Sequence, residues 1–375
     1  MIELSELKVA LVHDWIAGWG GAEQVLLAME SCFPGAPIYT AVYDPEVRPD
    51  RFASLDIRTS FVQRLPGALK NHRRYLPLMP LAFEYFDLRD YDVVLSSSHA
   101  CAKGVITGPN TLHISYVHTP IRYAWDMYHD YMSYEQPGKL KRVLMHGALH
   151  YLRVWDALNT QRVDHLLCNS RFVQRRIHKF YRRDAHVLYP PVQIPEAQHP
   201  LPGATERDDF YLVVGRLVHY KRVDLVIEAF RRNGKRLIIV GDGPQREQWI
   251  QNLPEQITYL GNLDRPRLEQ LYTQARALIF PPLEDFGMVP VEAQGFGCPV
   301  IAYGKGGALD SIKANETGIF FAAQTAASLN EAIERFERQS FDAGVIRQHA
   351  QHFNQAAFTS GLKTYVRHQW RHFNT

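Results

Sequence analysis

The sequence predicts an α/β protein of two domains, each built on a parallel sheet covered on both faces. Three observations predict it. Short apolar runs alternate with helix-period patterns along the whole chain, which is the mark of repeated strand–helix–strand units. The 375 residues exceed one ordinary core and fit about two domains. A proline-rich stretch breaks the rhythm near the middle.

Taken in order, Lys8–Val12 (KVALV) reads as the first buried strand. Asp92–Leu95, His113–Val117 and His165–Cys168 read as further strands of the first domain. Tyr211–Val214, Leu237–Val240, Ala277–Phe280 and Pro299–Ala302 continue the series in the second. Helical stripes lie between them. Val25, Ala28, Met29 and Cys32 repeat at i, i+3, i+4 and i+7, and Val223, Val226, Ile227 and Phe230 do the same. Tyr189 to Asp208 holds Pro190, Pro191, Pro195, Pro200 and Pro202, which favours an extended, semi-rigid connection. The first domain is therefore placed at 1–190 and the second at 205–354. The closing helix, at 355–375, is free to pack back on the first domain.

Composition narrows the function. Lys plus Arg number 42 and Asp plus Glu 39, a formal charge of +3, so the basic bias of a duplex-binding protein is missing and no nucleic-acid partner is expected. Apolar residues make 46% and charged residues 22%, which excludes a disordered chain. The four cysteines, Cys32, Cys101, Cys168 and Cys298, are scattered and suit a reducing compartment. The first residues lack the basic start of a secretory signal, and no apolar run is long enough to span a bilayer. The expected location is cytoplasmic.

Ligands of open parallel sheets bind beyond the carboxyl ends of the strands. The motifs fall there. The first strand leads into His13-Asp14-Trp15 and then Gly18-Trp19-Gly20-Gly21-Ala22-Glu23. Gly20 and Gly21 before a helix would let backbone N–H groups approach an anion, or simply form a turn. The G-x-G-x-x-G dinucleotide fingerprint is absent, which disfavours a nicotinamide enzyme. In the second domain, Arg216 and Lys221 follow a strand and precede a helix, a placement that suits a diphosphate as well as two solvated cations. Glu284 and Glu292 flank Asp285-Phe286-Gly287-Met288-Val289-Pro290-Val291. Pro290 fits the first turn of a helix, so Glu284 belongs to the preceding loop and Glu292 to the helix. Two carboxylates spaced in this way can each accept from vicinal hydroxyls. The amides of Phe286, Gly287, Met288 and Val289 lie where a helix N-terminus could hold phosphate.

With these motifs in hand, the chain resembles a retaining glycosyltransferase of family 4 with the GT-B architecture, two Rossmann-like domains facing across a cleft. Four matches carry the resemblance: the GGAE loop, the GRL…K segment, the E-x7-E motif and the glycine turn Gly306-Gly307-Ala308. Tyr116 to Asp126 (YVHTPIRYAWD), Ser96-Ser97-Ser98-His99 and Asn169-Ser170-Arg171-Phe172 resemble the bacterial mannosyltransferase-like subgroup of polysaccharide and O-antigen assembly. The resemblance implies that Arg216 and Lys221 hold the donor diphosphate, Glu284 the transferred sugar and Glu292 the ribose. It implies that Gly20 and Gly21 admit the donor phosphates and that His118 stands beside the reacting sugar. The implied reaction moves a hexose, mannose from GDP-mannose, to an acceptor hydroxyl, without metal or other cofactor. A glucosyl- or galactosyltransferase using a UDP-sugar, or a non-catalytic sugar-nucleotide-binding protein, are the alternatives. Many relatives carry a Glu after the glycine turn; Asp310 is the nearest acid here, and no role passes to it.

Several residues keep two readings. His13, Asp14 and His118 end strands and are acceptor-side candidates, although Asp14 could equally cap a turn. Ser96 to His99 reads as a polar turn. Leu263, in Gly261-Asn262-Leu263-Asp264, belongs to a candidate base-binding loop, with Asp264 either accepting from guanine or solvated. Asp44, Asp87, Asp90 and Asp92 are read as no metal-chelating set. The basic stretch Arg171–Arg183, and Arg64, Lys70, Arg73 and Arg74 interleaved with leucines, could be solvated faces or contacts with anionic lipid near a carbohydrate or lipid-linked acceptor.

Overall fold

A computed structural model describes residues 4–129, 132, 138–195, 201 and 207–373. The chain divides into two compact units, Met1–Pro191 with Phe358–Thr375, and Val192–Ala357.

The first unit carries seven strands: β1 (Val9–His13), β2 (Ile38–Thr40), β3 (Ile57–Thr59), β4 (Val93–Ser98), β5 (Leu112–Val117), β6 (His165–Cys168) and β7 (His186–Val187). All pairs are parallel, in the order β3-β2-β1-β4-β5-β6-β7. β1, β4 and β5 are buried end to end, so their apolar residues pack outward on both faces. One face meets the helix Gly21–Glu30 through Val25, Leu26 and Met29, together with Phe358, Leu362 and Val366 of the closing helix Gln355–Phe373. The other face covers Ala10, Val12 and Val94 with Met79, Phe83 and the helix residues Leu149 and Leu152.

Two differences from the sequence reading follow from local chemistry. β4 runs to Ser98, so Ser96, Ser97 and Ser98 are buried strand residues and not a turn. Polar partners reach the hydroxyls of Ser96 and Ser97, as at Ser96, whose Oγ lies 2.9 Å from His113 Nε2, while Ser98 Oγ has none among the described residues. β2, β3 and β7 are two or three residues long and carry no apolar run, so no periodicity announces them.

The second unit carries six strands: β8 (Tyr211–Val214), β9 (Leu237–Val240), β10 (Ile257–Gly261), β11 (Ala277–Phe280), β12 (Val300–Tyr303) and β13 (Gly318–Phe321). The order is β10-β9-β8-β11-β12-β13, again all parallel. Val223, Val226, Ile227 and Phe230 of the helix Val223–Asn233 pack with Leu329, Ile333 and Phe336 on one face. Ala293 and Phe296 cover the other.

Each order changes direction once. In the first unit the change lies between β1 and β4, and in the second between β8 and β11. At such points the two connections leave on opposite sides, and a crevice opens at the carboxyl ends of the strands.

Candidate functional site

The two switch points hold most of the chemistry-bearing residues, and each forms a site within its own unit. In the second unit β8 ends at Val214 and the chain turns through Gly215, Arg216 and Leu217. This loop is held from below by Gly241-Asp242-Gly243-Pro244, which follows β9. Gly215 N donates to the Val240 carbonyl at 3.0 Å and Leu217 N to Asp242 O at 2.9 Å. A side chain on Gly243 would place its Cβ 2.4 Å from the Leu217 carbonyl oxygen, so the close approach requires glycine. Sequence reasoning missed this support; the G-D-G-P run after a strand was its signal.

Lys221 ends a short 3₁₀ turn, His219–Lys221, and its side chain runs past Gly215 to form an ion pair with Glu284. Glu284 sits on the loop after β11. The cation and acid named from sequence therefore meet in one crevice, lined by Gly215, Lys221, Phe280 and Pro282. Arg216 lies exposed on the same β8 loop.

The acid loop is clamped by the glycine turn. Gly307 N donates to the Glu284 carbonyl at 2.8 Å, and Gly306 has φ +73, which suits glycine. Phe286 turns its ring into the core against Phe353, so it offers the site its backbone only. Gly287, at φ +89, starts the helix Met288–Gly295, whose first residues are Met288 and Val289. Glu292 lies one turn into that helix. Tyr272 Oη donates to its Oε2 at 3.3 Å, and Arg265 Nη1 stands 3.9 Å from Oε1. Burial raises the Glu292 carboxyl above the ordinary range, against the lowering by Arg265 and the Tyr272 hydroxyl. A carboxylate held by one long hydrogen bond and one ion pair at 3.9 Å has capacity left for hydroxyl donors.

Asp264 is exposed, as in the solvated reading, and it is also the N-cap of the helix Arg265–Gln274, accepting from Arg267 N at 3.2 Å. Leu263 packs against the apolar cluster under that helix.

In the first unit, β1 ends at His13 and pairs in register with Ser97 of β4. Ser97 Oγ lies 3.1 Å from His13 Nδ1 and 2.8 Å from His118 Nε2. Glu23, in the first turn of the helix after Gly20-Gly21, reaches to 3.8 Å from His13 Nε2. A polar chain thus runs Glu23, His13, Ser97, His118. Burial holds His118 well below its ordinary pKa, aided by His99 and His13 and opposed by Asp14, so the ring is neutral at pH 7. Its backbone is fixed too: Asn169 Nδ2 donates to His118 O at 3.0 Å, and Arg176 pairs with Thr119 and Asp126 just beyond. Sequence singled out His13 and His118, but nothing in it joined them; the link is a serine read as turn polarity.

Asp14 is corrected as an acceptor-side candidate. It is fully buried, and its two oxygens accept from the amides of His99, Ala100, Cys101 and Ala102 at 2.6–2.9 Å. Gly20 caps the next helix with an ordinary extended backbone. The basic helix Arg171–Tyr181 is not a plain charged face, since Arg176 turns inward and Arg183, just past it, donates to the carbonyls of Thr160, Val163 and Asp164. Asp90 and Asp92 do stand at D-x-D spacing, contrary to the sequence reading. They lie at the amino end of β4, where Asp92 accepts from Lys8 N at 2.8 Å, on the far side of the sheet from His13 and Ser97. Among the described residues no group of three His, Cys, Asp or Glu is gathered for a metal ion.

A model described as Glycosyltransferase Family 4 matches residues 19–194, and one described as Glycosyl transferases group 1 matches residues 196–358. An uncharacterized glycosyltransferase of Methanocaldococcus jannaschii is 28% identical over 144 residues, 36% of this chain and 37% of that protein. Human alpha-1,3/1,6-mannosyltransferase ALG2 is 25% identical over an alignment covering 93% of each chain. The apo structure of the lipopolysaccharide outer core galactosyltransferase WaaB superposes with a TM-score of 0.69 at 16% identity, covering 97% of this chain and 100% of its own. The chain is a glycosyltransferase of the GT-B type, a family 4 domain followed by a group 1 domain.

Proposed function

We propose that the protein transfers a hexose, mannose from GDP-mannose, with retention of configuration and without a metal, to an acceptor hydroxyl in polysaccharide, O-antigen or glycolipid assembly. The observation that carries the reading is the Lys221–Glu284 pair at the β8/β11 switch point. Lys221, with Arg216, supplies positive charge where a leaving diphosphate gains negative charge. The diphosphate then displaces Lys221 from Glu284 and frees that carboxylate to accept from sugar hydroxyls. Glu292 receives the ribose hydroxyls. The bond from sugar C1 to the β-phosphate oxygen breaks, the acceptor oxygen bonds to C1 on the same face, and its proton passes to the departing phosphate. No side-chain base is required. Neutral His118 offers hydrogen bonds to the sugar or the acceptor.

ALG2, matched along nearly its whole length, supports mannose as the sugar. The alternative, a UDP-sugar donor, draws on the galactosyltransferase WaaB, whose likeness is one of fold. Thermal shifts with GDP, UDP and ADP separate the two, because a ligand bound by the folded state raises stability by RT ln(1 + [L]/Kd). A shift with GDP alone, followed by turnover of GDP-mannose that survives chelator, supports the proposal. A shift with UDP alone replaces it by the alternative, and a shift with no turnover on any acceptor reduces the protein to a sugar-nucleotide binder.

A further inference from the structure

The helix Lys139–Asn159 has two apolar faces, and among the described residues only one of them is packed. Its inner face is anchored in the first unit by Leu149, Leu152 and Asp156. Asp156 is fully buried, pairs with Lys103, and accepts from Trp125 Nε1 and Tyr181 Oη at 2.7 Å each. These contacts fix the rotation of the helix about its axis. The opposite face is thereby turned out, and it carries Leu140, Val143, Leu144, Tyr151, Val154 and Leu158, all exposed. Leu140 is 76% exposed, Val143 67% and Leu158 66%. Their spacing follows one side of the helix from Leu140 to Leu158, a rise of about 27 Å. A stripe of that length left exposed among the described residues is unusual on a protein surface.

Charge decides what it fits. Lys139 and Lys141 flank the stripe, Arg142 and Arg153 lie toward the inner side of the helix, where Arg153 Nε donates to Ala124 O at 2.6 Å, and the one acid of the helix is the buried Asp156. The neighbouring segment repeats the combination. Leu78, Leu81 and Tyr85 are exposed beside Lys70, Arg73 and Arg74, and Trp155 Nε1 ties the two elements together by donating to Glu84 Oε1 at 2.9 Å. We infer that this apolar stripe and its basic margins dock the first unit on an anionic lipid bilayer, the helix lying in the headgroup region with its cations toward lipid phosphates. A second copy of the chain seated on the same face by two-fold symmetry would set like charges against each other. No described helix is long and apolar enough to cross a membrane, so the contact is one of surface. The inference goes beyond the transfer reading and relocates the lipid-facing surface away from the helix Arg171–Tyr181, whose Arg176 is spent inside the fold.

Vesicle co-sedimentation of the full chain tests it without any activity measurement. Binding to phosphatidylcholine vesicles containing phosphatidylglycerol is expected, with far weaker binding to phosphatidylcholine alone. Alanine at Lys139 and Lys141 together should lower partition roughly 30-fold, the change two surface cations supply. Leu140→Glu with Leu144→Glu should abolish it while the urea midpoint stays unchanged, since both side chains are already in water. Alanine at Arg171, Arg175 and Lys179 should leave it intact. Failure of the wild-type chain to bind the anionic vesicles, wild-type binding by the stripe variants, or loss of binding in the Arg171 set overturns the proposal. So does a dimer by light scattering that Leu144→Glu dissociates, which would assign the face to self-association.

Discussion

The amide of Gly307 donates to the carbonyl oxygen of Glu284 at 2.8 Å, and no side chain fits between the two turns. A Cβ on Gly307 would stand 2.2 Å from Asp285 O and 2.3 Å from Phe286 Cα. The backbone of Gly307 is helical, so its need for glycine is one of space and not of dihedral angle. Gly307→Ala therefore has to push the Glu284 loop off the glycine turn. Overpacking of this kind costs about 1–3 kcal/mol of stability. The displacement of Glu284 should cost more in chemistry: transfer is expected to fall about 100-fold, the order that misplacing a catalytic group by 1 Å brings. Turnover and urea unfolding of the same variant check both halves, and near-normal turnover would separate Glu284 from the reaction.

Lys221 and Glu284 are paired at the mouth of β8 and β11, with 16% and 15% of their side chains exposed. If Lys221 serves the departing diphosphate, Lys221→Ala should lower turnover about 100–1,000-fold, the range seen when one preorganised charge-stabilising donor is removed. Glu284→Gln keeps the size and the acceptor oxygen but loses the charge that holds Lys221. It is expected to weaken the sugar contact while the thermal shift by free nucleoside diphosphate persists. Lys221→Ala should lose that shift instead. Equal shifts in both variants would show that Lys221 does not touch the diphosphate.

The contrast between these pairs shows what the sequence could and could not disclose. Strands β1, β4, β5, β8, β9, β11 and β12 stand out because each is buried on both faces, which leaves a continuous apolar run in the text. β3, with Ile57, Arg58 and Thr59 half in water, leaves none. Lys221 and Glu284 lie 63 positions apart, yet each follows a strand that ends at the same switch point, so the parallel order alone brings them together. The clamp by Gly307 and the support by Gly243 are contacts of backbone on backbone. They carry no charge or periodicity, only a glycine whose reason lies in another loop. Asp14 misled in the opposite direction: an acid at a strand end reads as reactive, while its oxygens are saturated by four amides.

Ser97 is the joint between His13 and His118. Its hydroxyl can donate to one ring and accept from the other, which fixes the tautomer of both. Ser97→Ala leaves His13 Nδ1 and His118 Nε2 without this partner and should cost on the order of 1 kcal/mol in stability. Its larger effect is expected on turnover, at near-constant donor binding, because His118 loses its orientation toward the sugar and not its presence. Ser97→Thr keeps the hydroxyl and should restore most of the rate. A variant that lowers nucleotide binding and turnover together, with no rescue by threonine, would mark Ser97 as a packing residue only.

The first unit also carries its own acid sensitivity. His113, held down to about 3, and His72, held down to about 4, are both depressed chiefly by burial, with Arg162 adding at His113 and Arg73 and His99 at His72. His99 and His118 are depressed in the same direction by burial. Each such group takes up a proton more readily in the unfolded chain, near pH 6.5, than in the fold. Their stabilising contribution is complete above that value and is lost as pH falls toward the folded pKa. Asp14 acts lower down. Burial would raise its carboxyl, but His99, His13 and the amides of His99 and Ala102 hold it net below the usual range. Its contribution is present above the ordinary carboxylate pKa, about 4, and is lost as pH falls through its own lower value. Urea midpoints are therefore expected to decline in two stages, first between about pH 6.5 and pH 4 and then more steeply below pH 4. Asp14→Asn should remove much of the second stage while leaving the first. It should also lower stability at pH 7 by about 3 kcal/mol, since amides of residues 99–102 lose a charged acceptor. A flat profile between pH 7 and pH 5 would mean that the buried histidines reach water in solution.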